Sequence, residues 1–380
     1  MLIFLHALLF GGAALGIAYC LLALWATLKF YSGKRKTPVG NFTPPVSILK
    51  PLCGLDPHGY ESLRTHCIQD YPNYEIVFGV AAPDDPAVTA VEQLMSEFPK
   101  LSIRLVVCSN IFGMNFKISN LLQMLPEARH KYLVINDSDI AVPCDYLRKV
   151  VGPLQDGSIG IVTCLYRGVA SQSIGSSLES LGIECDFIPA ILFAKQIEKG
   201  IRFAMGSTIA FHRDVLERIG GLASIADYLA DDYELGSRVA DAGFEIVVAD
   251  CVVDHYLPRY SWVDFFQHQL RWARTVRSCR PEGYAGLVVT FAFPWSLLSL
   301  ATSPSIPGFA FLLIALVLRW MMAVGSGYFV LDDRRVFRNL WLIPVRDFVS
   351  LAIWILSYTG SHIVWRGNKF ELANGKLRPA

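Results

Sequence analysis

The sequence predicts an α/β catalytic domain that is anchored in a membrane, and three observations lead to this prediction. An uncharged stretch occupies residues 7–28, near the N-terminus. Between about residues 40 and 280, short β-branched runs alternate with helical patterns. Residues 283–318 again carry no charge. A chain of 380 residues has room for one such domain and several membrane segments.

The overall composition excludes some classes of protein. The hydrophobic fraction is 53%, which is high for a soluble protein. The formal net charge is only +1, so no broad surface for nucleic acid is expected. None of the nine cysteines has the C-x2-C spacing of a zinc or redox site. The cysteines are therefore expected to be reduced, structural thiols.

The N-terminal stretch predicts an anchor at residues 1–36. It is long enough to cross a hydrocarbon core of about 30 Å. Lys29, Lys34, Arg35 and Lys36 follow it, whereas a cleaved signal peptide carries its positive charge before a shorter apolar stretch. The positive-inside tendency then places the following domain, residues 37–282, in the cytoplasm.

Residues 283–365 are predicted to form two or three C-terminal membrane segments. Two spans are expected near 285–303 and 308–330, separated by a Ser-Pro-rich turn. The basic residues after the second span indicate a return to the cytoplasm, and they are Arg334, Arg335 and Arg338.

The last apolar stretch, residues 340–365, is harder to place across a bilayer. It contains Arg346 and Asp347, and charged side chains cost several kcal/mol at the bilayer centre. A full span would also export the basic residues of 366–380. An interfacial or re-entrant segment avoids both difficulties, so residues 366–380 are expected to form a cytoplasmic tail.

In the domain between the anchors, the alternation of strand and helix patterns predicts a parallel sheet with right-handed crossovers. Candidate strands stand at 46–49, 74–80, 103–107 and 132–135, and candidate helices at 59–69, 86–97 and 117–125. Parallel sheets of this kind bind ligands beyond the carboxyl ends of their strands. Polar residues that directly follow the strands are therefore the candidates for a site.

Acidic residues stand at two of these strand ends. Asp84 and Asp85 follow the second strand, and Asp137 and Asp139 follow the fourth. The Asp-x-Asp spacing brings two carboxylates to one small space, which suits a hard divalent cation that bridges to phosphates. A turn rich in Asp and Ser, or a helix cap, would have the same pattern.

Two further clusters lie later in the domain. Asp231 and Asp232 open an amphipathic stretch, where acidic residues also serve as ordinary helix caps. His268, Arg271 and Trp272 then begin a basic run that continues through Arg274, Arg277 and Arg280. A basic helix that meets anionic lipid headgroups would have the same composition.

In this order and spacing, the clusters resemble the ceramide glucosyltransferase family, which belongs to the inverting GT-A glycosyltransferases. That pattern consists of three Asp motifs followed by (Q/R)-x-x-R-W, with His268 at the first position in this chain. The bacterial members include the hopanoid-pathway glycosyltransferases. The resemblance implies a GT-A fold, a Rossmann-like nucleotide-sugar-binding domain, with one N-terminal and two or three C-terminal membrane segments.

The resemblance also implies roles for the site residues. Asp232 is the general base, with Asp231 beside it. Asp137 and Asp139 hold Mg²⁺ or Mn²⁺ on the diphosphate. The remaining roles are contact with the uridine by Asp84 or Asp85, contact with the phosphates by Lys117 and Arg271, donor binding near His268, and a wall on the acceptor side from Trp272.

The implied activity is transfer of a hexose, glucose or N-acetylglucosamine, from a UDP-sugar to a hydroxyl of a membrane lipid. The acceptor is a ceramide or a hopanoid, and the location is the bilayer of a bacterial inner membrane. Three alternatives remain open: a processive polysaccharide synthase, a non-catalytic nucleotide- or lipid-binding protein, and a metal-dependent nucleotidyltransferase. About three spans are fewer than a processive synthase uses for a channel, and a binding protein has no need of a base.

Overall fold

The computed structural model describes residues 2–34, 42–56 and 58–379. Arg35 and Lys36, expected at the cytoplasmic end of the anchor, lie outside these residues. Within the described ranges the chain contains an eight-stranded sheet, a helical layer around it, a set of long apolar helices and a small three-stranded sheet.

The central sheet has the strand order β3-β2-β1-β4-β7-β6-β8-β5. The four strands expected from the sequence form its parallel half, in which β1 lies between β2 and β4. The other half was not expected: β7 runs antiparallel to β4 and β6, while β6 and β8 are parallel. The strands are β1 (Val46–Pro51), β2 (Tyr74–Val80), β3 (Ser102–Val107), β4 (Tyr132–Ile135), β5 (Ile140–Ala141), β6 (Ile159–Val169), β7 (Ile209–His212) and β8 (Glu245–Tyr256).

Helices cover the sheet, and two of them, α4 and α9, begin beside the acidic clusters predicted from the sequence. Helix α4 begins after Asn115, whose side chain accepts a hydrogen bond from the Ile118 amide. A π-helical turn, Ile183–Phe187, joins α6 to α7. The helices are α2 (Gly59–Cys67), α3 (Ala87–Glu97), α4 (Phe116–Met124), α5 (Tyr146–Val151), α6 (Ile174–Gly182), α7 (Ile188–Ile197), α8 (Arg213–Arg218), α9 (Asp231–Asp241) and α10 (Trp262–Cys279).

Three helical segments are long and apolar enough to cross a membrane, namely Phe4–Gly33, Ile306–Val330 and Val336–Ser357. A fourth candidate, Pro281–Thr290 with Ala292–Thr302, is bent by 50° at its break. This agrees with one N-terminal and two or three C-terminal membrane segments. The helices are α1 (Leu2–Lys34), α11 (Pro281–Gly286), α12 (Ala292–Thr302), α13 (Ile306–Ala323), α14 (Val336–Asn339) and α15 (Ile343–Ser357).

The N-terminal helix α1 packs closely against the C-terminal helices. A Cβ on Gly16 would lie 2.6 Å from the Cα of Ala292, so only glycine permits this approach. Phe10, in the first half of α1, contacts Phe311 near the start of α13. Small residues at such interfaces let membrane helices pack through van der Waals contact.

Contacts at both ends of residues 336–357 place those ends on the side of the catalytic domain. Arg167 on β6 donates hydrogen bonds to the carbonyls of Leu331 (3.1 Å) and Asp332 (2.8 Å), just before this segment. Arg277 on α10 donates to the carbonyl of Gly360 (3.1 Å), just after it. A single crossing would separate these ends, so the contacts favour an interfacial position although the length would allow a span.

The C-terminal residues differ from the expected tail at 366–380. Residues 362–379 form an antiparallel sheet of β9 (His362–Trp365), β10 (Asn368–Ala373) and β11 (Lys376–Pro379). Two-residue turns with positive φ connect these strands. Alternate side chains of the sheet are buried against Leu229 of the catalytic domain, and they are Ile363, Phe370, Leu372 and Leu377. The short strands and basic composition concealed this alternation in the sequence.

Candidate functional site

The acidic clusters of the sequence meet around one lysine. The Lys117 Nζ lies 2.7 Å from Asp137 Oδ1 and 2.7 Å from Asp231 Oδ2. Lys117 stands in the first turn of α4, Asp137 directly follows β4, and Asp231 opens α9. Although burial opposes it, the charges of Asp137, Asp231 and Asp232 raise the pKa of Lys117 above its usual range. Lys117 is therefore a permanent cation, and it holds the Asp137–Asp139 motif and the Asp231–Asp232 motif together.

Asp232 has a different environment from its neighbour Asp231. Its Oδ2 accepts a hydrogen bond from the Gly206 amide at 2.8 Å, and its Oδ1 accepts one from the Tyr233 amide at 2.8 Å. Burial and the adjacent negative charge of Asp231 raise the pKa of Asp232 to about 6, although Lys117 opposes the shift. A carboxylate with this pKa is ionised at neutral pH and is more basic than an ordinary aspartate.

Gly206 joins the two carboxylates across the site. Its amide donates to Asp232, while its carbonyl accepts a hydrogen bond from the Asp137 amide at 3.2 Å. A Cβ at this position would lie 2.6 Å from Asp137 Oδ2, so a larger residue would displace the carboxylate. The sequence analysis missed Gly206 because a single glycine between strands carries no distinguishing pattern.

Asp139 is paired with a histidine that the sequence analysis also missed. His255 Nε2 lies 3.0 Å from Asp139 Oδ2. Burial opposes ionisation of both groups, but their mutual attraction lowers the pKa of Asp139 to about 2 and raises that of His255 to about 9. The ion pair engages Oδ2 of Asp139 and leaves Oδ1 outside it. It lies beside the antiparallel pairing of β5 with β8.

The carboxylates of Asp137 and Asp139 have the chemistry of a site for a divalent cation completed by substrate. Across 2–34, 42–56 and 58–379, no group of three or more His, Cys, Asp or Glu residues is placed to hold a metal ion. Asp137 uses Oδ1 for Lys117 and Asp139 uses Oδ2 for His255, so one oxygen of each lies outside these pairs. Mg²⁺ is commonly held by one or two carboxylates together with substrate phosphates and water, and this donor set fits that mode.

Lys50 supports the Asp-x-Asp turn from beneath. Its fully buried Nζ donates a hydrogen bond to the Asp137 carbonyl at 2.9 Å and lies 3.4 Å from His66 Nε2. Burial lowers the pKa of Lys50 to about 7, against the opposing charges of Asp139 and Asp137. The last residues of β1 thus fix the backbone from which the two carboxylates project.

The motif on α10 forms the other wall of the site. His268 Nδ1 lies 2.7 Å from the Tyr260 hydroxyl and 3.1 Å from Glu179 Oε2. The Trp272 ring packs edge-on against those of His268 (5.7 Å) and Phe187 (5.9 Å). Protein groups thus fix the His268 ring through Nδ1. Glu179, almost fully buried, is a further residue that the sequence analysis missed.

Arg271 lies on the same helix and is half-buried. Burial lowers the pKa of Arg271, while Tyr260 and Glu179 oppose the shift. An arginine remains charged under such conditions because its ordinary pKa exceeds 12. A partly desolvated guanidinium at this position can bind an oxyanion strongly.

The two acidic residues after β2 have distinct surroundings. Asp85 accepts hydrogen bonds from the Gly54 amide at 3.0 and 3.1 Å and from the Ala87 amide at 2.8 Å. It therefore ties the loop after β1 to the start of α3. Asp84 is exposed at the same edge, so it is the freer of the two to contact a ligand.

Comparison with known proteins decides the family. The sequence profile described as glycosyl transferase family 21 matches residues 8–378, nearly the whole chain. This chain belongs to glycosyl transferase family 21. The predictions of a glycosyltransferase, and of a resemblance to ceramide glucosyltransferases, are thereby confirmed.

Several relatives of the family 21 chain agree with this assignment. Ceramide glucosyltransferase 3 of Caenorhabditis elegans is 23% identical over 375 residues, which cover 95% of this chain and 81% of the relative. Ceramide glucosyltransferase 1 of the same organism is 22% identical over 347 residues, 88% of this chain and 73% of the relative. A mannosyltransferase from Pyrobaculum calidifontis, solved with GDP-Man and Mn²⁺, has a TM-score of 0.55 and 21% identity, covering 90% of this chain and 99% of that one. This structural likeness confirms the GT-A fold.

Proposed function

We propose that this family 21 enzyme transfers a hexose, glucose or N-acetylglucosamine, from a UDP-sugar to a hydroxyl of a membrane lipid. The acceptor is of the ceramide or hopanoid type. The names of the relatives support a glucosyl donor and a ceramide-like acceptor. The reaction inverts the anomeric carbon and depends on a divalent cation, either Mg²⁺ or Mn²⁺. Mn²⁺ accompanies GDP-Man in the mannosyltransferase from Pyrobaculum calidifontis.

One continuous segment supports a lipid acceptor, because it contacts both the site and the membrane helices. Phe187, in the π-helical turn, packs against Trp272. Asp186, the preceding residue, forms an ion pair of 2.6 Å with Arg319 on α13. Two adjacent residues, Asp186 and Phe187, thus connect the apolar helix α13 to Trp272, the proposed acceptor wall. A lipid hydroxyl at headgroup depth can reach the site from this position without leaving the bilayer. The acyl chain then stays out of water, where each exposed CH₂ group would cost about 0.8 kcal/mol.

The carboxylates divide the chemistry between them. Asp232 takes the proton of the acceptor hydroxyl, because Asp231 is already paired with Lys117 and Asp232 is more basic than an ordinary aspartate. A positioned base of this kind contributes roughly 10²–10⁴-fold to the rate. Asp137 and Asp139 hold the divalent cation, which supplies positive charge to the departing diphosphate.

The remaining residues bind the donor and shape the acceptor side. Arg271 braces the diphosphate with a charge-assisted hydrogen bond. Lys117 neutralises the carboxylates and lies close enough to contact a phosphate beside Asp137. Asp84 contacts the uridine, with Asp85 fixing the loop. Trp272 forms the acceptor wall, and His268 holds its ring in place through the contact at 5.7 Å.

The catalytic domain is proposed to face the cytoplasm of a bacterial inner membrane. Lys29 follows the N-terminal span on the same side as the catalytic domain, and Lys195 of α7 packs near it against Phe30. Basic residues near the ends of spans favour the cytoplasmic side.

A reconstituted transfer assay tests the proposal. The purified chain is placed in nanodiscs and given UDP-glucose, UDP-galactose or UDP-N-acetylglucosamine with a labelled sugar. Ceramide, a hydroxylated hopanoid and a soluble sugar are offered as acceptors, and both free UDP and labelled product are measured. Label on a lipid together with stoichiometric UDP supports the proposal. Label only on the soluble sugar, or pyrophosphate in place of UDP, would refute it.

A further inference from the structure

The C-terminal sheet places an arginine against the nucleotide edge of the site. Arg366 and Gly367 form the two-residue turn between β9 and β10. The Arg366 Nη1 donates a hydrogen bond of 3.0 Å to the Cys53 carbonyl and lies 3.9 Å from Asp56 Oδ1. Both partners belong to the loop that follows β1, so the C-terminal sheet contacts the loop after the first strand of the domain.

That loop is connected directly to the Asp-x-Asp turn. The Ser138 hydroxyl, between Asp137 and Asp139, donates a hydrogen bond of 2.9 Å to Asp56 Oδ2. The Arg366 guanidinium is therefore linked through Asp56 to the turn that carries the proposed metal carboxylates.

Arg366 is also within electrostatic range of Arg271. Burial is the main cause of the lowered pKa of Arg271, and the positive charge of Arg366 contributes in the same direction. Two guanidinium groups that approach each other repel, and an anion between them relieves the repulsion. The two arginines come from elements that pack against each other: Arg271 from α10 and Arg366 from the C-terminal sheet.

The backbone at Arg366 is not explained by the stability of the turn. Its φ is 49°, in the left-handed region that side chains other than Gly and Asn rarely adopt. The second turn of the same sheet has the same geometry and carries Asn374 and Gly375, with φ of 50° and 78°. Asn-Gly is the favoured sequence for such a turn, so an arginine at the equivalent position of the first turn indicates a use for its side chain.

The guanidinium retains donors for a ligand. Arginine has five N–H groups in a fixed fork, and the protein contacts described above use one end of it. The side chain is 43% exposed, and the distance to Asp56 is too long for a close hydrogen bond. The N–H groups at the other end of the guanidinium are suited to bind two oxygens of a phosphate.

We propose that Arg366 is a second diphosphate-binding residue of the donor site, which binds the nucleotide sugar together with Arg271. This inference rests on the proposed function, because it assigns a contact to the same nucleotide-sugar donor. The C-terminal sheet then acts as the wall that completes the donor pocket. The sheet is held in place beside the site, since its core packs against Phe116 and Leu229. Phe116 directly precedes Lys117, and Leu229 lies two residues before Asp231.

The test compares Arg366→Asn with wild type in calorimetric titrations of the full chain in detergent, using UDP and uridine as probes. Arg366→Asn removes the guanidinium and gives the first turn the Asn-Gly sequence of the second, so the fold is preserved. We expect the Kd for UDP to rise about tenfold, the Kd for uridine to stay constant, and the melting temperature to stay equal or rise. Arg366→Lys should recover part of the affinity. Lys369→Gln, which removes an exposed cation from the same sheet, should change none of these values.

The outcomes separate the inference from the proposed function. An unchanged UDP affinity in Arg366→Asn would overturn the inference, as would a parallel loss of UDP and uridine affinity with a lower melting temperature. If wild type binds GDP instead of UDP, the same comparison with GDP decides the role of Arg366, while the UDP-sugar assignment fails. If wild type binds UDP but transfers no sugar to lipid, the role of Arg366 is still decided and only the proposed function fails. A chain that binds no nucleoside diphosphate overturns both.

Discussion

Lys117 lies 2.7 Å from Asp231 and so neutralises the first carboxylate of the Asp231-Asp232 pair. This contact gives two adjacent residues different tasks. Asp231 is committed to a structural ion pair, while Asp232 accepts hydrogen bonds from two backbone amides and has a pKa raised to about 6, mainly by burial.

Removal of the Lys117 cation should move the pH dependence of the reaction. In wild type, kcat/KM should rise with pH through about 6, because Asp232 must be ionised to act as a base. Lys117 lowers the pKa of Asp232, so Lys117→Met should shift this acidic limb to higher pH and reduce the rate at neutral pH. The measurement is a pH–rate profile on residual activity, with Lys149→Met on the distant helix α5 as control. An unmoved limb would separate Lys117 from the base.

The divalent cation should act through the Asp-x-Asp carboxylates. EDTA should stop transfer, and Mg²⁺ or Mn²⁺ should restore it. Asp139→Asn should raise the metal concentration for half-maximal activity by about tenfold or more, because a ligand loses its charge. Asp241→Asn, at the far end of α9, is the control. Full activity of the wild type in metal-free buffer would remove the metal role from both carboxylates.

The parallel half of the fold was predictable, because three of its four strands, β1, β2 and β4, are buried on both faces. Buried strands read as continuous apolar runs, and the expected limits of β2 and β4 agree with the structure residue for residue. Strands β5, β6, β7 and β8 were all missed; of these, β5 and β7 are runs of only two and four residues, which carry no period. The crossover helices α2, α3 and α4 were placed within two residues of their observed limits.

The site was predictable only where its residues cluster in the sequence. Asp137, Asp139, Asp231 and Asp232 stand in short acidic motifs, and the structure brings them together. Their partners are isolated residues from distant parts of the chain. His255 and Arg366 meet the Asp-x-Asp region only through strand pairing and the folding of the C-terminal sheet, which no local pattern reveals.

The orientation of the C-terminal segments leads to a labelling prediction. In a background without the exposed Cys53 and Cys144, single cysteines are placed at Arg335, Ser303 and Thr359. If segment 336–357 is interfacial, as we propose, Arg335 and Thr359 should both react with an impermeant thiol reagent from the cytoplasmic side, because they flank this segment. Ser303 should react from the other side. Labelling of Thr359 opposite to Arg335 would mean that the segment crosses the membrane.

A buried ion pair should lock the interfacial helix to α13. Arg319 lies 2.5 Å from Asp347, and their side chains are 5% and 3% exposed. Arg319→Met should destabilise the protein by about 3–5 kcal/mol, since it leaves Asp347 buried without a partner. The double variant Arg319→Met/Asp347→Leu should recover most of the loss in melting temperature.

The matched control for this pair is Arg202→Met, which breaks an exposed ion pair with Asp241. Those side chains are 58% and 64% exposed, so the change should be within about 1 kcal/mol. Equal effects of Arg202→Met and Arg319→Met would contradict a locking role for the buried pair.

The assignment of Asp232 as the base is the centre of this account, and one variant tests it most directly. Asp232→Asn keeps the size of the side chain and one acceptor oxygen for a backbone amide, but it removes the basicity. Transfer from UDP-sugar to lipid should fall by roughly 10²–10⁴-fold, while the Kd for UDP stays that of wild type and Asp241→Asn remains fully active. The account predicts loss of kcat with intact donor binding. Near-normal turnover by Asp232→Asn would contradict it.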